Sequence, residues 1–176
     1  KYHKNDIGWD IGTCSTPLKE YFNQLTNKDL KILIPGCGNS YEATYLNQLG
    51  FKNVFVLDIS ENAIASFKDK NPDFPTNHVL NENFFEHSSS YDLIIEQTFF
   101  CAIQPELRKK YVDKTHQLLN SKGKLVGLLF NRLFEGGPPF GGNTEEYRSL
   151  FSPYFKIDIM EESYNSIDPR QGSEVF

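Results

Sequence analysis

The run PGCGNSYEATYL, preceded by KILI and followed by NVFVLDIS, constrains the fold more than any other stretch of this chain. Residues 31–34 are apolar and strand-sized, and they run into a turn built on Gly36 and Gly38. A helical pattern starts near Ser40 and stops near Gly50. A second apolar run, 54–57, ends on the acid Asp58. Gly36 and Asp58 stand 22 positions apart, close to the ~20 that separate a nucleoside-binding glycine turn from the acid that grips a ribose. The turn lets a ligand approach the backbone, and the carboxylate accepts bonds from ribose hydroxyls. Together they imply a cofactor that carries an adenosine.

The residue at the third glycine position narrows that cofactor. A dinucleotide fingerprint has Gly or Ala where Tyr41 stands here, because its pyrophosphate sits on the helix N-terminus. No Lys or Arg occurs between Gly36 and Tyr45 to help hold phosphate. A nucleoside without phosphates fits better, and S-adenosylmethionine leads the candidates.

The rest of the chain repeats the alternation. Ser15, Thr16 and Pro17 open a short helix whose Leu18, Tyr21, Phe22 and Leu25 recur at helical spacing. Residues 61–70 read as a helix ended by Asn71-Pro72, and 78–80 as a short strand. Residues 91–96 are a fourth strand, 105–119 a helix, 124–130 a fifth strand. Residues 131–143, rich in Gly and Pro, form a loop. Thr144 is expected to cap the helix EEYRSLF, and 155–160 to form a sixth strand. Strands alternating with helices give an α/β fold, a mostly parallel sheet covered on both faces. Ligands in such sheets sit beyond the carboxyl ends of the strands. Gly36, Asp58, Gln97 and Asn131 all fall there.

Length indicates one domain, residues 1–176, with no repeat and no linker. Hydrophobic residues make up 39% of it, enough for a real core. The net charge of −5 and the lack of a basic run argue against nucleic acid or an anionic membrane surface as partner. Apolar runs are strand-sized, so no span of a bilayer is expected. Cys14, Cys37 and Cys101 are odd in number and far apart, which argues for a reducing, cytoplasmic setting rather than disulfides or zinc. Cys37 is best read as a small buried filler. The four histidines lack ligand spacing, so no metal is expected. There is no G-x-S-x-G elbow, and GGPPFGG lacks the Lys-Ser/Thr end of a phosphate loop. The chain starts at Lys1 without Met and stops at SEVF, which reads as a strand just beginning, so both ends are open to extension.

Trp9, the single tryptophan, precedes the first helix. Its aromatic face could cover a sulfonium, a contact worth roughly 0.5–2 kcal/mol, or it could simply anchor the N-terminal segment. Phe99 and Phe100 could wall the same pocket or belong to the core.

The segments WDIGTCSTPL, LIPGCGNSYEATYL, LDIS, TFFCAIQPELRKKY and GGPPF occur in one order. In that order they closely resemble the thiopurine S-methyltransferase family, in particular its halide and thiol methyltransferase branch. The resemblance runs from about Gly8 to Arg170. It implies a Rossmann-like class I methyltransferase fold with a mostly parallel, seven-stranded sheet, and S-adenosylmethionine as methyl donor. It implies an N-terminal lid over about 1–26, with Trp9 closing on the cofactor. Gly36 and Gly38 would give the methionine portion its backbone approach, Asp58 would hold the ribose, and Ile59 would pack near the adenine. Asn83 and Phe84 would lie along the adenine, and Gln97 would line the pocket near the sulfonium. Two positions depart from the family pattern: an acid often stands where Asn83 is, and an aromatic residue in some relatives where Gln97 is.

The implied reaction is in-line displacement of a methyl group from sulfonium by a small soft nucleophile: a thiol, thiopurine, hydrosulfide or halide. The acceptor is expected near 130–140, with Phe130, Arg132, Phe140 and Arg170 as candidates, although ordinary surface arginines are the plainer account of Arg132 and Arg170. A halide or thiolate brings no proton to remove, so a missing histidine base does not count against the reading. Two other classes remain open on sequence: a non-catalytic adenosine-binding protein, and an NAD-dependent oxidoreductase, which Tyr41 disfavours.

Overall fold

The computed structural model describes residues 11–176, and the chain forms two compact units, one ending at His87 and the other beginning at Ser88. In the first, β1 (Ile32–Pro35), β2 (Val54–Asp58) and β3 (Val79–Asn81) pair in parallel in the order β3-β2-β1. Parallel neighbours need a crossover. α2 (Tyr41–Gln48) supplies one and α3 (Glu61–Lys70) the other. All four residues of β1 are buried, as a strand covered on both faces requires. The Ser60 hydroxyl accepts from the Ala63 N–H at 3.3 Å and starts α3, a side-chain cap. α1 (Thr16–Gln24) precedes this set, and its Leu18 and Phe22, one turn apart, are fully buried. The Phe22 ring lies 6.4 Å from that of Tyr45, whose hydroxyl donates to Asn23 at 2.9 Å, so α1 is docked on α2.

The second unit holds β4 (Tyr91–Gln97), α4 (Arg108–Leu118), β5 (Leu119–Phe130), α5 (Thr144–Phe151) and β6 (Glu174–Val175). β4 and β5 are parallel, with Glu96 opposite Gly127, and β6 runs antiparallel to β5. Phe100, Tyr111 and Tyr147 fill the core, with Phe100 edge-on to both tyrosines at 5.2 and 5.6 Å. The helix expected over 105–119 is present, entered through a 3-10 turn at Pro105–Leu107. The cap of α5 is Asn143 rather than Thr144, because the Asn143 Oδ1 takes the Glu146 N–H at 2.9 Å.

Six strands occur among the described residues, one fewer than expected. Residues 155–160 are not a strand. The edge of β5 that they would need is taken by β6, which Glu162 joins by a single bridge to Val175. Their apolar residues serve helix ends instead: Phe155 packs on His116 at 5.6 Å, and the Met160 carbonyl accepts from Arg148 at 2.7 Å. SEVF does continue as the strand it suggests. None of the described helices is long and apolar enough to cross a membrane.

A side chain at Gly127 would run into the Glu96 carbonyl and Cβ on the neighbouring strand. Gly127→Ala should therefore destabilise the protein by about 1–3 kcal/mol through overpacking. Urea denaturation checks this, and an unchanged midpoint would show that β4 and β5 can part there freely.

Candidate functional site

In the first unit the site begins where β1 ends. Gly36 and Gly38 take φ of +62° and +50°, a left-handed backbone that glycine adopts without cost. The Cys37 N–H donates to the Leu57 carbonyl at 3.2 Å, and the Gly38 N–H donates to Asp58 Oδ2 at 3.2 Å. Asp58, at the end of β2, also accepts from the Ser60 N–H through Oδ1 at 2.9 Å. Its carbonyl takes Asn81 Nδ2 at 2.9 Å and the Glu82 N–H at 3.2 Å. One residue thus ties together the turns that follow three parallel strands. A carboxylate offers about four lone-pair positions. Two are used, and the half-buried group keeps the others for a diol. Beside it Ile59 is 70% exposed, a large apolar side chain available to a flat ring.

Asn83 and Phe84 are differently disposed. The Asn83 Oδ1 accepts from the Phe85 N–H at 3.0 Å and its Nδ2 donates to Glu86 at 3.1 Å, so its amide closes its own turn. Phe84 is buried and lies edge-on to Phe85. The pair shapes the ground beyond β3 rather than presenting an open amide.

In the second unit Gln97 ends β4. Its Oε1 is buried and has no hydrogen-bond partner among the described residues. Buried acceptors without partners are rare and point to a missing group. Thr98 follows at φ +61°, a strained conformation for a β-branched residue that costs on the order of 1–3 kcal/mol. It is held by Glu96, a residue that sequence reasoning passed over. Fully buried, Glu96 accepts from the Phe99 and Phe100 N–H groups through Oε1 at 2.8 and 2.9 Å, and from the Tyr111 hydroxyl through Oε2 at 2.6 Å. Burial pushes its carboxyl up to about 7, against the opposite pull of those three donors. Burial and then the Glu96 charge push Tyr111 well up, and the same two causes push Cys101 up to about 12. Burial likewise raises Cys14 and Cys37. All three thiols are free and buried and stay protonated, which makes them fillers rather than nucleophiles.

The expected acceptor residues lie on the same unit. Phe130 ends β5, half-buried, with its ring edge-on to Phe134 at 5.1 Å. Arg132 is exposed, over Phe134 at 4.7 Å. Arg170 is no surface arginine. It is buried, donates to Glu174 at 3.1 Å and lies 5.3 Å over the Phe130 ring. Glu174 in turn takes the Ser166 hydroxyl at 2.8 Å. Phe140 is fixed through its N–H, which donates to the Cys101 carbonyl at 2.6 Å. Arg108, missed by sequence reasoning, binds the Phe140 and Gly141 carbonyls at 3.3 and 2.7 Å and Glu146 at 2.6 Å. Nothing in RKKY distinguishes it from its basic neighbours. Trp9 lies outside the described residues.

A family model described as thiopurine S-methyltransferase matches residues 1–175. The chain belongs to the thiopurine S-methyltransferase family. A probable thiol methyltransferase 2 of Arabidopsis thaliana is 29% identical over 94% of this chain and 76% of its own length. Thiocyanate methyltransferase 1 of the same plant is 30% identical with the same two coverages. Among solved structures, the S-adenosylmethionine-bound magnesium protoporphyrin IX methyltransferase of Synechocystis PCC 6803 superposes with a TM-score of 0.71. That match covers 90% of this chain and 74% of the other at 16% identity, and shows the class I methyltransferase fold. Like the rest of the family, this chain is an S-adenosylmethionine-dependent methyltransferase. The first unit's residues fit that cofactor: an open-faced turn, a braced carboxylate with free lone pairs and exposed Ile59.

If Asp58 takes ribose hydroxyls, Asp58→Ala should weaken S-adenosylhomocysteine by about 1.5–3 kcal/mol, the scale for hydrogen bonds to a charged group. Calorimetry measures this, and an unchanged affinity would leave the carboxylate only a brace between turns. Glu96 supports a second expectation. Its folded pKa of about 7 lies above the ordinary 4.5, so between those values the folded chain holds more protons than the unfolded one. The stability it contributes is complete below about 4.5 and is lost as pH rises through about 7. Relative to Glu96→Gln, the wild type should lose roughly 1–3 kcal/mol from pH 5 to 8. No loss over that range would mean that Tyr111 and the two amides hold the native carboxylate ionised.

Proposed function

We propose that this enzyme methylates a small soft nucleophile that reaches it already ionised: a thiolate, hydrosulfide, thiopurine or halide. One observation carries the reading. The buried charged groups of the second unit are engaged: Glu96 with Tyr111 and two amides, Arg108 with Glu146, Arg170 with Glu174. Its thiol, Cys101, stays protonated. Among these described groups none is poised to take a proton from an alcohol or amine, which favours an acceptor that supplies its own lone pair. The names of the plant relatives, thiol and thiocyanate methyltransferase, support the same class.

S-adenosylmethionine supplies a methyl group on a sulfonium. Gly36 and Gly38 bring backbone close to its methionine portion, Asp58 holds the ribose, and Ile59 covers one face of the adenine, with Asn83 and Phe84 shaping the floor beside it. The Gln97 Oε1 accepts from the cofactor's polar end or faces its cation. Phe130 and Phe140 flank the acceptor, and Arg132 draws anions toward it. Arg170 acts through the Phe130 ring, because its guanidinium is already paired. When anion meets sulfonium charge disappears, so a dry apolar surround accelerates transfer, and alignment contributes much of the rest. The segment about 1–26 is proposed to cover the cofactor, with Trp9 over the sulfonium; within it α1 is docked through Leu18 and Phe22. A cytoplasmic setting is consistent with three free cysteines.

A panel of acceptors tests this through pH. With a thiol, kcat/KM should rise about tenfold per unit until the thiol's own pKa, as expected when only the thiolate reacts. With iodide or thiocyanate it should show no more than an inflection near the Glu96 value of about 7. An equal rise with both acceptors would trace the pH dependence to a protein group rather than to the thiol and sink the reading. Calorimetry should also find S-adenosylhomocysteine bound and NAD not bound at the same concentration.

A further inference from the structure

Glu96 sits one residue before Gln97, and its carboxylate is the hub of the bend that ends β4. Thr98 turns the chain left-handed at φ +61° and swings the next two N–H groups inward. Both land on one oxygen of Glu96, at 2.8 and 2.9 Å. The other oxygen holds Tyr111 of α4 at 2.6 Å. Without an acceptor of this length the two amides would be buried unpaired, and Thr98 would relax toward extended backbone. The bend is further closed by the Thr98 hydroxyl on the Gln97 carbonyl at 2.7 Å and by the Cys101 thiol on the Thr98 carbonyl at 3.2 Å. The direction of the Gln97 side chain, with its buried and unpartnered Oε1, is therefore set between a braced acid and a strained residue.

The same hub reaches the acceptor loop. Phe100, whose N–H Glu96 holds, lies under the Arg108 guanidinium at 4.8 Å. Arg108 grips the Phe140 and Gly141 carbonyls, and the Phe140 N–H returns to the Cys101 carbonyl at 2.6 Å.

We propose that Glu96 is a positioning residue for methyl transfer: its carboxylate, by gathering the Phe99 and Phe100 amides and the Tyr111 hydroxyl, aims Gln97 at the cofactor and holds Phe140 beside the acceptor. The role is one of length and hydrogen bonding, and Glu96 touches neither reactant. The inference rests on the reading above that Gln97 meets the cofactor and Phe140 flanks the acceptor. An amide at this position preserves the geometry: its oxygen accepts from both backbone N–H groups and its nitrogen donates to the Tyr111 oxygen. A carboxylate one methylene shorter keeps the charge and cannot span the same three donors.

The decisive comparison is Glu96→Asp against Glu96→Gln in the purified enzyme, below the melting point of each. Positioning predicts that Glu96→Asp weakens S-adenosylhomocysteine about tenfold by calorimetry and lowers acceptor kcat/KM by more than that, while Glu96→Gln stays within about threefold on both. With Gln97→Ala already in place, Glu96→Asp should weaken S-adenosylhomocysteine by less than about threefold further, because the two act as one unit. Should Glu96→Asp not fold, Tyr111→Phe takes its place in that cycle, and its effect must likewise vanish once residue 97 is alanine. A loss in Glu96→Gln with Glu96→Asp unaffected would make charge the requirement, equal losses in both would show that length and hydrogen bonding alone do not account for the role, and a lower melting point with unchanged affinity and turnover would make the role merely structural. Any of these results, or additive losses in the cycle, overturns the proposal. Failure of the parent reading looks different: the wild type itself would turn over none of the soft acceptors, while the calorimetric comparison could still be made.

Discussion

The hydrogen bond from the Gly38 amide to the Asp58 carboxylate is the constraint on which the first unit's ligand face depends. It joins a turn that follows β1 to the last residue of β2, and Asp58 passes the connection on to Ser60 through its other oxygen and to Asn81 and Glu82 through its carbonyl. Three parallel strands end at one level because one residue reads all three turns. The left-handed φ values of Gly36 and Gly38 make that geometry accessible, and the acid makes it the stable one. A half-buried carboxylate held in this way by two amides is already oriented before any ligand arrives, so little freedom remains to be lost on binding.

Asp58 and Glu96 show how burial sorts two carboxylates that both accept two backbone amides. Asp58 is open enough to keep unused lone pairs toward solvent, which suits direct recognition. Glu96 is fully enclosed, takes a third donor from Tyr111, and has nothing left to offer a ligand. Its enclosure raises its pKa, whereas its donors preserve a use for either protonation state. In the proposed reading the first acid meets the cofactor, and the second shapes the bend that carries Gln97.

The elements with regular spacing were legible in the sequence. β1, β2, α3 and β4 fall within a residue or so of their expected bounds, because apolar runs and caps such as Ser60 act locally. Residues 155–160 read as a strand because Phe155, Ile157 and Ile159 alternate with polar neighbours; whether that pattern pairs depends on a free sheet edge, and the distant residues 174–175 occupy it. The contact between the glycine turn and Asp58 was legible because their spacing is fixed by one strand–helix–strand unit. Glu96 and Arg108 were not. One looks like the polar end of a strand and the other like one of three consecutive basic residues. What marks them is a set of partners contributed by α4, by the 98–101 bend and by residues 140–146, which no local pattern encodes. Arg170 was misjudged for the same reason, since Glu174 and Phe130 bury it.

The way Arg108 holds the loop of residues 131–143 has a consequence for which of its side chains can change. Its guanidinium fixes the carbonyls of Phe140 and Gly141, and the near end of the loop is tied by the Asn131 amide to the Ser173 carbonyl. Between these moorings the chain carries Leu133, 81% exposed, and a run of exposed small residues. Substitution of Leu133 leaves the clamps untouched, whereas a side chain at Gly137 would run into the Phe140 ring. Under the acceptor placement proposed above, exchange of exposed side chains such as Leu133 alters what the acceptor meets while both moorings stay in place.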